Sequence, residues 1–207
     1  MPLNPPDNGV RATSAFTMTQ SELLDLFRQT GALLHGHFVL RSGLHSREFF
    51  QCALLLRDTK VAEQVCTALA AQLRNIDCDT VISPALGGII VGQEIARQLG
   101  KPHIFAEKDD NGALVMRRGF QIKPGEKFIV IEDVVTRGGR LMETVDIVTK
   151  HGGVVVAAAC LVNRSGGQLP AMDFPFRGLV ELNPETFAPD SLPPDLAAIP
   201  AIKPGSK

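Results

Sequence analysis

Glu132 and Asp133 stand side by side between an apolar run, Phe128 to Ile131, and a short loop carrying Thr136, Arg137 and the pair Gly138-Gly139. Arg140 follows, and Leu141, Val145 and Val148 then recur at the three- and four-residue spacing of a helix. The apolar run reads as a buried strand with the acidic pair at its carboxyl end. Adjacent carboxylates can accept hydrogen bonds from sugar hydroxyls or hold a metal-bound ligand. A Gly-containing loop that opens a helix turns backbone N–H groups toward an anion, and the helix dipole favours negative charge there. Strand, carboxylates, loop and helix together make a site for a phosphorylated sugar. The loop lacks Gly-Lys-Ser/Thr, and the chain nowhere contains Gly-x-Gly-x-x-Gly, so the two commonest nucleotide fingerprints are absent.

The rest of the chain supplies elements to position that unit. Thr19-Gln-Ser-Glu22 has capping-box spacing, with Leu23, Leu24, Leu26 and Phe27 as the apolar face behind it and Gly31 as the stop. Gly36 to Leu56 reads as two strands and a turn. Val61, Val65 and Leu69, with Cys66 and Leu73 beside them, mark a helix. Thr80 to Ser83 is a short strand, Pro84 to Gly88 a loop, and Ile89 to Leu99 a helix closed by Gly100 and Pro102. His103 to Ala106 is a strand, Asp109 to Leu114 a polar loop, and Met116 to Phe120 an extended return. After the signature helix, which ends at Gly152-Gly153, the unbroken apolar content of Val154 to Val162 predicts a fully buried strand. Strands alternating with helices imply a parallel, right-handed α/β sheet with ligands at the strands' carboxyl ends. Past Glu181-Leu-Asn, Pro184, Pro189, Pro193, Pro194, Pro200 and Pro204 leave little room for regular structure and predict a wrapped or loose arm.

A chain of 207 residues suits one domain with a sizeable core. Its net charge of −1 gives no global field for nucleic acid or an anionic membrane, so a phosphate must be met by local groups. The longest apolar run, Val154 to Val162, is too short to span a bilayer. Met1 to Ser14 has no apolar signal core, which predicts a cytoplasmic protein. Cys52, Cys66, Cys78 and Cys160 have no Cys-x-x-Cys spacing and read as buried free thiols in a reducing compartment. His35, His37 and His45 invite a metal reading but are expected to be surface or hydrogen-bonded histidines rather than a zinc site.

Glu132-Asp-Val-Val-Thr136 followed by Gly138-Gly139 resembles the phosphoribosyl-pyrophosphate loop of the type I phosphoribosyltransferases. Phe38-Val-Leu-Arg-Ser-Gly-Leu-His-Ser-Arg-Glu-Phe-Phe50 resembles the hood segment of that family's orotate branch. Ser83-Pro-Ala-Leu-Gly-Gly-Ile89 is similar to its pyrophosphate-side loop. Phe105-Ala-Glu-Lys108 with Met116-Arg-Arg-Gly-Phe120, and Leu161-Val-Asn-Arg-Ser-Gly-Gly167, extend the match in the right order, and the ending Lys203-Pro-Gly-Ser-Lys207 is similar to one bacterial branch.

The resemblance implies an α/β, type I phosphoribosyltransferase fold: a central, mainly parallel sheet flanked by helices, with a small N-terminal hood. On that pattern residues 1–18 form a flexible leader and 19–183 one domain, with the hood at about 19–58 and the core at about 59–183. Residues 184–207 form the Pro-rich arm. The implied reaction joins orotate to 5-phosphoribosyl 1-pyrophosphate, with Asp133, Glu132 and Lys108 as catalytic residues. Binding of 5-phosphoribosyl 1-pyrophosphate falls to Glu132, Asp133, Val134, Val135, Thr136, Arg137, Gly138, Gly139 and Arg140, joined by Lys108, Arg117 and Arg118. Orotate, a planar carboxylate, falls to Thr136, Arg164 and Arg41, with Phe49 or Phe50 as the stacking face. Mg²⁺ is expected to be held mainly through the substrate, the protein to be a homodimer, and neither nucleic acid nor membrane to be a partner.

Three of the positions at which the pattern departs from the family bear on phosphate binding. Arg137 stands where Thr is common, Arg140 where Ser or Thr is common, and Glu107 where several relatives carry Arg. Arg140 can supply charge-assisted donors to the phosphate or point outward. Arg117 and Arg118 can compensate for Glu107 across a mobile loop. Two other functions stay open: a phosphoribosyltransferase for another base, and a regulatory protein that keeps the pocket.

Overall fold

A computed structural model describes residues 18–40 and 42–204. Of the leader expected over 1–18 only Met18 is therefore described, and Arg41, expected at the orotate, lies outside the described residues. The first helix, α1 (Gln20–Gln29), starts as its capping box dictates: the Thr19 hydroxyl accepts from Glu22 N–H, and the Glu22 carboxylate accepts from Thr19 N–H at 2.8 Å. Leu23 and Phe27 are its buried face. Strands β1 (Leu33–Val39) and β2 (His45–Phe50) form an antiparallel hairpin. A short helix, α2 (Cys52–Leu56), follows where the sequence suggested only extended chain. Helix α3 (Thr59–Ala71) is capped by Asp58.

The chain then alternates through β3 (Thr80–Pro84), α4 (Gly87–Leu99), β4 (His103–Lys108), β5 (Leu114–Met116), β6 (Lys127–Val135), α5 (Gly139–Lys150), β7 (Val154–Asn163) and β8 (Phe176–Glu181). The six-stranded sheet has the order β5-β4-β3-β6-β7-β8, with every neighbouring pair parallel except β4 and β5. β6 lies in the middle and is buried on both faces. Ile129 and Ile131 join a core with Val65, Leu69 and Ile95, while Phe128 and Val130 join Leu141, Val145 and Val148 of α5 on the other side. That two-sided burial is why its sequence is an unbroken apolar run.

Three further local expectations change. β6 does not end at the acidic pair but runs on to Val135, because Glu132 and Val134 keep their register with Cys160 and Val162 of β7. Asp133 continues the face of Ile129 and Ile131 toward α4, where it lies against Gly87. Val154 is 47% exposed and Val155 and Val156 are half-buried, since pairing with β8 begins only at Ala158. Beyond Met116 the chain does not return as an extended segment: Arg117 to Phe120 is a turn, with Phe120 N–H donating to Arg117 O at 3.1 Å.

The Pro-rich end, as far as it is described, wraps onto the β1–β2 hairpin. β9 (Thr186–Phe187) adds to β2 as the third strand of a separate sheet, and α6 (Pro194–Ala197) follows. Val39 N–H donates to Ile202 O at 2.8 Å and Ile202 N–H to His37 O at 2.9 Å, so the far end of the arm meets β1. Arg47 fastens both: its guanidinium takes Asp195 in a two-point pair at 2.7 and 2.9 Å, reaches Glu185 at 2.8 Å and lies 4.6 Å over the Phe187 ring. Prolines forbid an interior ladder but not these edge contacts. Two of the three histidines are hydrogen-bonded, His37 Nδ1 meeting Ile199 O at 2.9 Å and Nε2 meeting His45 Nδ1 at 2.5 Å, while His35 is exposed.

Candidate active site

Among the described residues four helices are ten residues or longer, and their amino ends differ. α1 and α3 are capped by Thr19 and Asp58 side chains; α4 and α5 have no side-chain cap. The uncapped ends of α4 and α5 follow β3 and β6, adjacent parallel strands, at the carboxyl edge of the sheet. First-turn N–H groups left without side-chain acceptors are available to an anion. At the start of α5, Gly138 adopts φ 76°, and a Cβ there would lie 3.0 Å from Leu169 Cδ2. The left-handed conformation is what requires glycine, and the space beside it is tight. Gly139 faces open space, and Thr136 and Arg137 are exposed. Val134 is half-buried and Val135 buried, so these two offer backbone rather than side chains.

Asp133 faces α4. A Cβ on Gly87 would lie 2.6 Å from the Asp133 Cγ, so the first turn of α4 approaches the carboxylate only because Gly87 has no side chain. Burial pushes the Asp133 carboxyl above the usual carboxylate range, and the Val134 N–H, donating to Oδ1 at 2.9 Å, pulls it part of the way back. Cys52 and Cys160 lie in the same neighbourhood; burial, and secondarily the Asp133 charge, raises the Cys52 thiol. Nothing in their sequence spacing signals that placement.

On the other side of β3, Lys108 ends β4 and is exposed. Arg118, held at φ 61°, bonds Glu107 with Nε–Oε2 at 2.7 Å and Nη2–Oε1 at 2.8 Å. The pair holds the Glu107 carboxyl below its ordinary range and raises the Arg118 guanidinium. Arg118 thus cancels the charge of Glu107, and Arg117 remains exposed beside it. Arg140 turns its guanidinium to Gly112 O and Glu143 rather than to the loop at Thr136 and Arg137.

Arg164 follows β7, and its N–H donates to Val135 O at 2.7 Å, which ties it to the end of β6. Its guanidinium carbon lies 5.6 Å over the Phe50 ring. Phe50 is buried and edge-on to Phe27 at 5.4 Å; Phe49, half-buried, is tilted against Phe38 at 5.7 Å. Phe50 is therefore committed to the core and to Arg164, and Phe49 is the ring that keeps exposed surface. Burial presses the Arg164 guanidinium below the usual arginine range, and Glu48 lifts it part of the way back. Its Nε is buried with no hydrogen-bond partner among the described residues.

Sequence reading gave no sign that Ser83, His103 and Gly92 meet. Ser83 Oγ meets His103 Nε2 at 2.8 Å, and His103 Nδ1 meets Gln93 Oε1 at 3.3 Å. Burial pulls His103 down to about 4, so the ring is neutral and serves as a hydrogen-bonded strut between β3 and β4. A Cβ on Gly92 would reach 2.5 Å from His103 Nε2, so a small residue inside a helix was the one available signal.

The sequence matches the family model described as phosphoribosyl transferase domain over residues 56–189. An orotate phosphoribosyltransferase of Carboxydothermus hydrogenoformans is 48% identical over 190 residues, covering 90% of this chain and 97% of that protein. Another, of Sphingopyxis alaskensis, is 49% identical over 193 residues, covering 92% and 98%. The solved orotate phosphoribosyltransferase of Aeropyrum pernix superposes with a TM-score of 0.59 at 25% identity, over 70% of this chain and 84% of that one. With a family match over well over half its residues, and relatives close to half identical almost from end to end, the chain belongs to the phosphoribosyltransferases, in their orotate phosphoribosyltransferase branch.

Proposed function

We propose that the protein transfers the phosphoribosyl group of 5-phosphoribosyl 1-pyrophosphate to orotate, giving orotidine 5′-monophosphate and pyrophosphate in de novo pyrimidine (UMP) biosynthesis. The observation that carries this reading is Arg164: a half-buried cation whose buried Nε has no partner among the described residues, stacked on Phe50 and tied by its own N–H to the end of the phosphate-loop strand. A planar carboxylate completes that arginine's hydrogen bonds, as a guanidinium fork takes a carboxylate at two points. Phe49 supplies the stacking face, and Thr136 and Arg41 complete the orotate side.

Thr136, Arg137, Gly138 and Gly139, with the backbone N–H of Arg140, receive the 5′-phosphate at the uncapped start of α5, and Val134 and Val135 shape the loop's approach. Asp133 and Glu132 accept from the ribose hydroxyls. Lys108, with Arg117 and Arg118 near it, takes up the charge of the departing pyrophosphate. As the bond from C1′ to pyrophosphate loosens, the ribose acquires oxocarbenium character and the orotate nitrogen attacks in line. No covalent protein nucleophile is needed; positioning and charge stabilisation supply the rate.

Mg²⁺, when bound, neutralises pyrophosphate charge. Among the described residues no three His, Cys, Asp or Glu side chains group to hold an ion by themselves. Asp133 and Glu132 are the carboxylates at the loop, a set that fits an ion carried mainly on substrate oxygens. The working form is a cytoplasmic homodimer, which light scattering on a sizing column checks; a fully active monomer would refute it. No described helix is long and apolar enough to cross a membrane.

Gly87→Ala tests the Asp133 assignment from the side of its neighbour. The added methyl pushes the carboxylate aside, so turnover should fall ~10- to 100-fold with little change in melting temperature. A variant with normal turnover would count against Asp133 as a contact of the ribose. The function itself is tested by following loss of orotate absorbance with 5-phosphoribosyl 1-pyrophosphate and Mg²⁺, and with each omitted. Loss that requires all three establishes the reaction. No loss with orotate, but activity with another base in a panel, would transfer the assignment to that base. Binding of the phosphoribosyl substrate with no turnover on any base would favour a regulatory protein.

A further inference from the structure

Arg140 is the second residue of α5, where a cation opposes the helix dipole. Glu143, three residues along, meets Nη1 and offsets that charge. Both Nη atoms also lie 3.2 Å from the carbonyl oxygen of Gly112. The side chain is 15% exposed, so a largely desolvated cation is committed to a backbone carbonyl 28 residues away in sequence.

Gly112 sits at the tip of the β4–β5 hairpin. The turn closes on itself: Asp109 N–H donates to Ala113 O at 2.8 Å and Gly112 N–H to Asp109 O at 3.0 Å. Asp109 Oδ1 accepts from Asn111 and Ala113 N–H at 3.0 and 2.9 Å. The segment that read as a polar loop is thus a tight hairpin, and Arg140 holds its tip. Farther along α5, Ile147 packs with Leu114 and Ala106. The hairpin is therefore pinned to α5 at two places, the Arg140 contact being the one at the phosphate-loop end. Lys108 pairs with Leu114 immediately before the turn.

We propose that Arg140 is a positioning residue: it clips the hairpin bearing Lys108 to the start of α5, and so fixes the spacing between the phosphate loop and the pyrophosphate-side lysine. The proposal rests on the reading of that loop and lysine given above. Arg140→Met keeps the stem and the backbone N–H but removes the clip. Ribose 5-phosphate binding by calorimetry should stay within ~3-fold of the parent, because the loop amides are unchanged. Amide hydrogen exchange at residues 109–114 should accelerate ~10-fold, and kcat with orotate should fall ~10-fold with KM for orotate unmoved. Arg140→Lys, which keeps the charge but not the fork, should show the same pattern and covers failure of the Met variant to fold. Ribose 5-phosphate affinity lowered ~10-fold or more, with hairpin exchange unchanged, would make Arg140 a phosphate ligand and overturn the clip. Unchanged exchange and unchanged kcat would overturn it as well. If the parent protein itself bound no ribose 5-phosphate, the phosphate-loop reading would fall, while the exchange comparison would still decide the clip.

Discussion

Asp133→Asn should lower turnover by ~100- to 1,000-fold, the size of effect that follows loss of one charge-assisted contact present in a transition state. The substitution keeps the shape and the acceptor that Val134 N–H uses, so the fold has no reason to fail. Stability should move the other way. Because burial raises the folded-state carboxyl, the unfolded chain gives up this proton at lower pH than the folded one. The parent protein therefore loses stability as pH climbs above the unfolded value of 3.8, and the loss is complete once the folded value is passed. Asn carries no such term. At neutral pH the variant should melt at the same temperature as the parent or higher, and the advantage should vanish below the unfolded value. Melting curves across pH, beside steady-state rates, check both halves. Turnover within ~3-fold of the parent would remove Asp133 from the chemistry, and a lower melting temperature at neutral pH would mean its carboxylate holds the fold together.

Arg164→Lys should raise KM for orotate by ~100-fold while leaving KM for 5-phosphoribosyl 1-pyrophosphate within ~3-fold. An ammonium keeps the charge but lacks the planar fork and the stacking face that lies over Phe50. The unpartnered Nε is a desolvated donor, costing ~1–3 kcal/mol until a ligand oxygen reaches it. Arg164→Met removes that donor without a partner to strand, so it should fold with undiminished stability and yet bind no orotate by calorimetry. Equal losses for both substrates would mean that Arg164 acts through the end of β6, to which its N–H is bonded, rather than through the base.

Much of the sheet was legible because its signals are local. The capping box at Thr19, the three- and four-residue spacing of Val61, Val65 and Leu69, and the apolar run of Phe128 to Ile131 each depend on residues within a turn or two of one another. The β9 pairing was not legible: residues 186–187 have no periodicity, and their partners, His45 and Ser46, lie far back in the chain. β8 escaped for a similar reason, since at the sheet edge Phe176 to Glu181 is mostly half-buried or exposed and carries no apolar run. Of the candidate site residues, the structure sets Asp133 against Gly87 and Arg164 over Phe50. It leaves Arg118 on Glu107 and Arg140 on Gly112, partners that no spacing rule connects.

By itself the sequence determined the α/β alternation, the strand–carboxylate–loop–helix unit and the kind of ligand it suits, because backbone propensity, glycine conformation and hydrophobic period act over a few residues. The tertiary structure decided that Asp133 lies against Gly87 of α4, that Phe50 rather than Phe49 lies under Arg164, and that Arg140 reaches a hairpin instead of the loop. Those outcomes depend on where β6 stops pairing with β7 and on which desolvated charge finds which distant oxygen, and such contacts are fixed only when the separated segments pack.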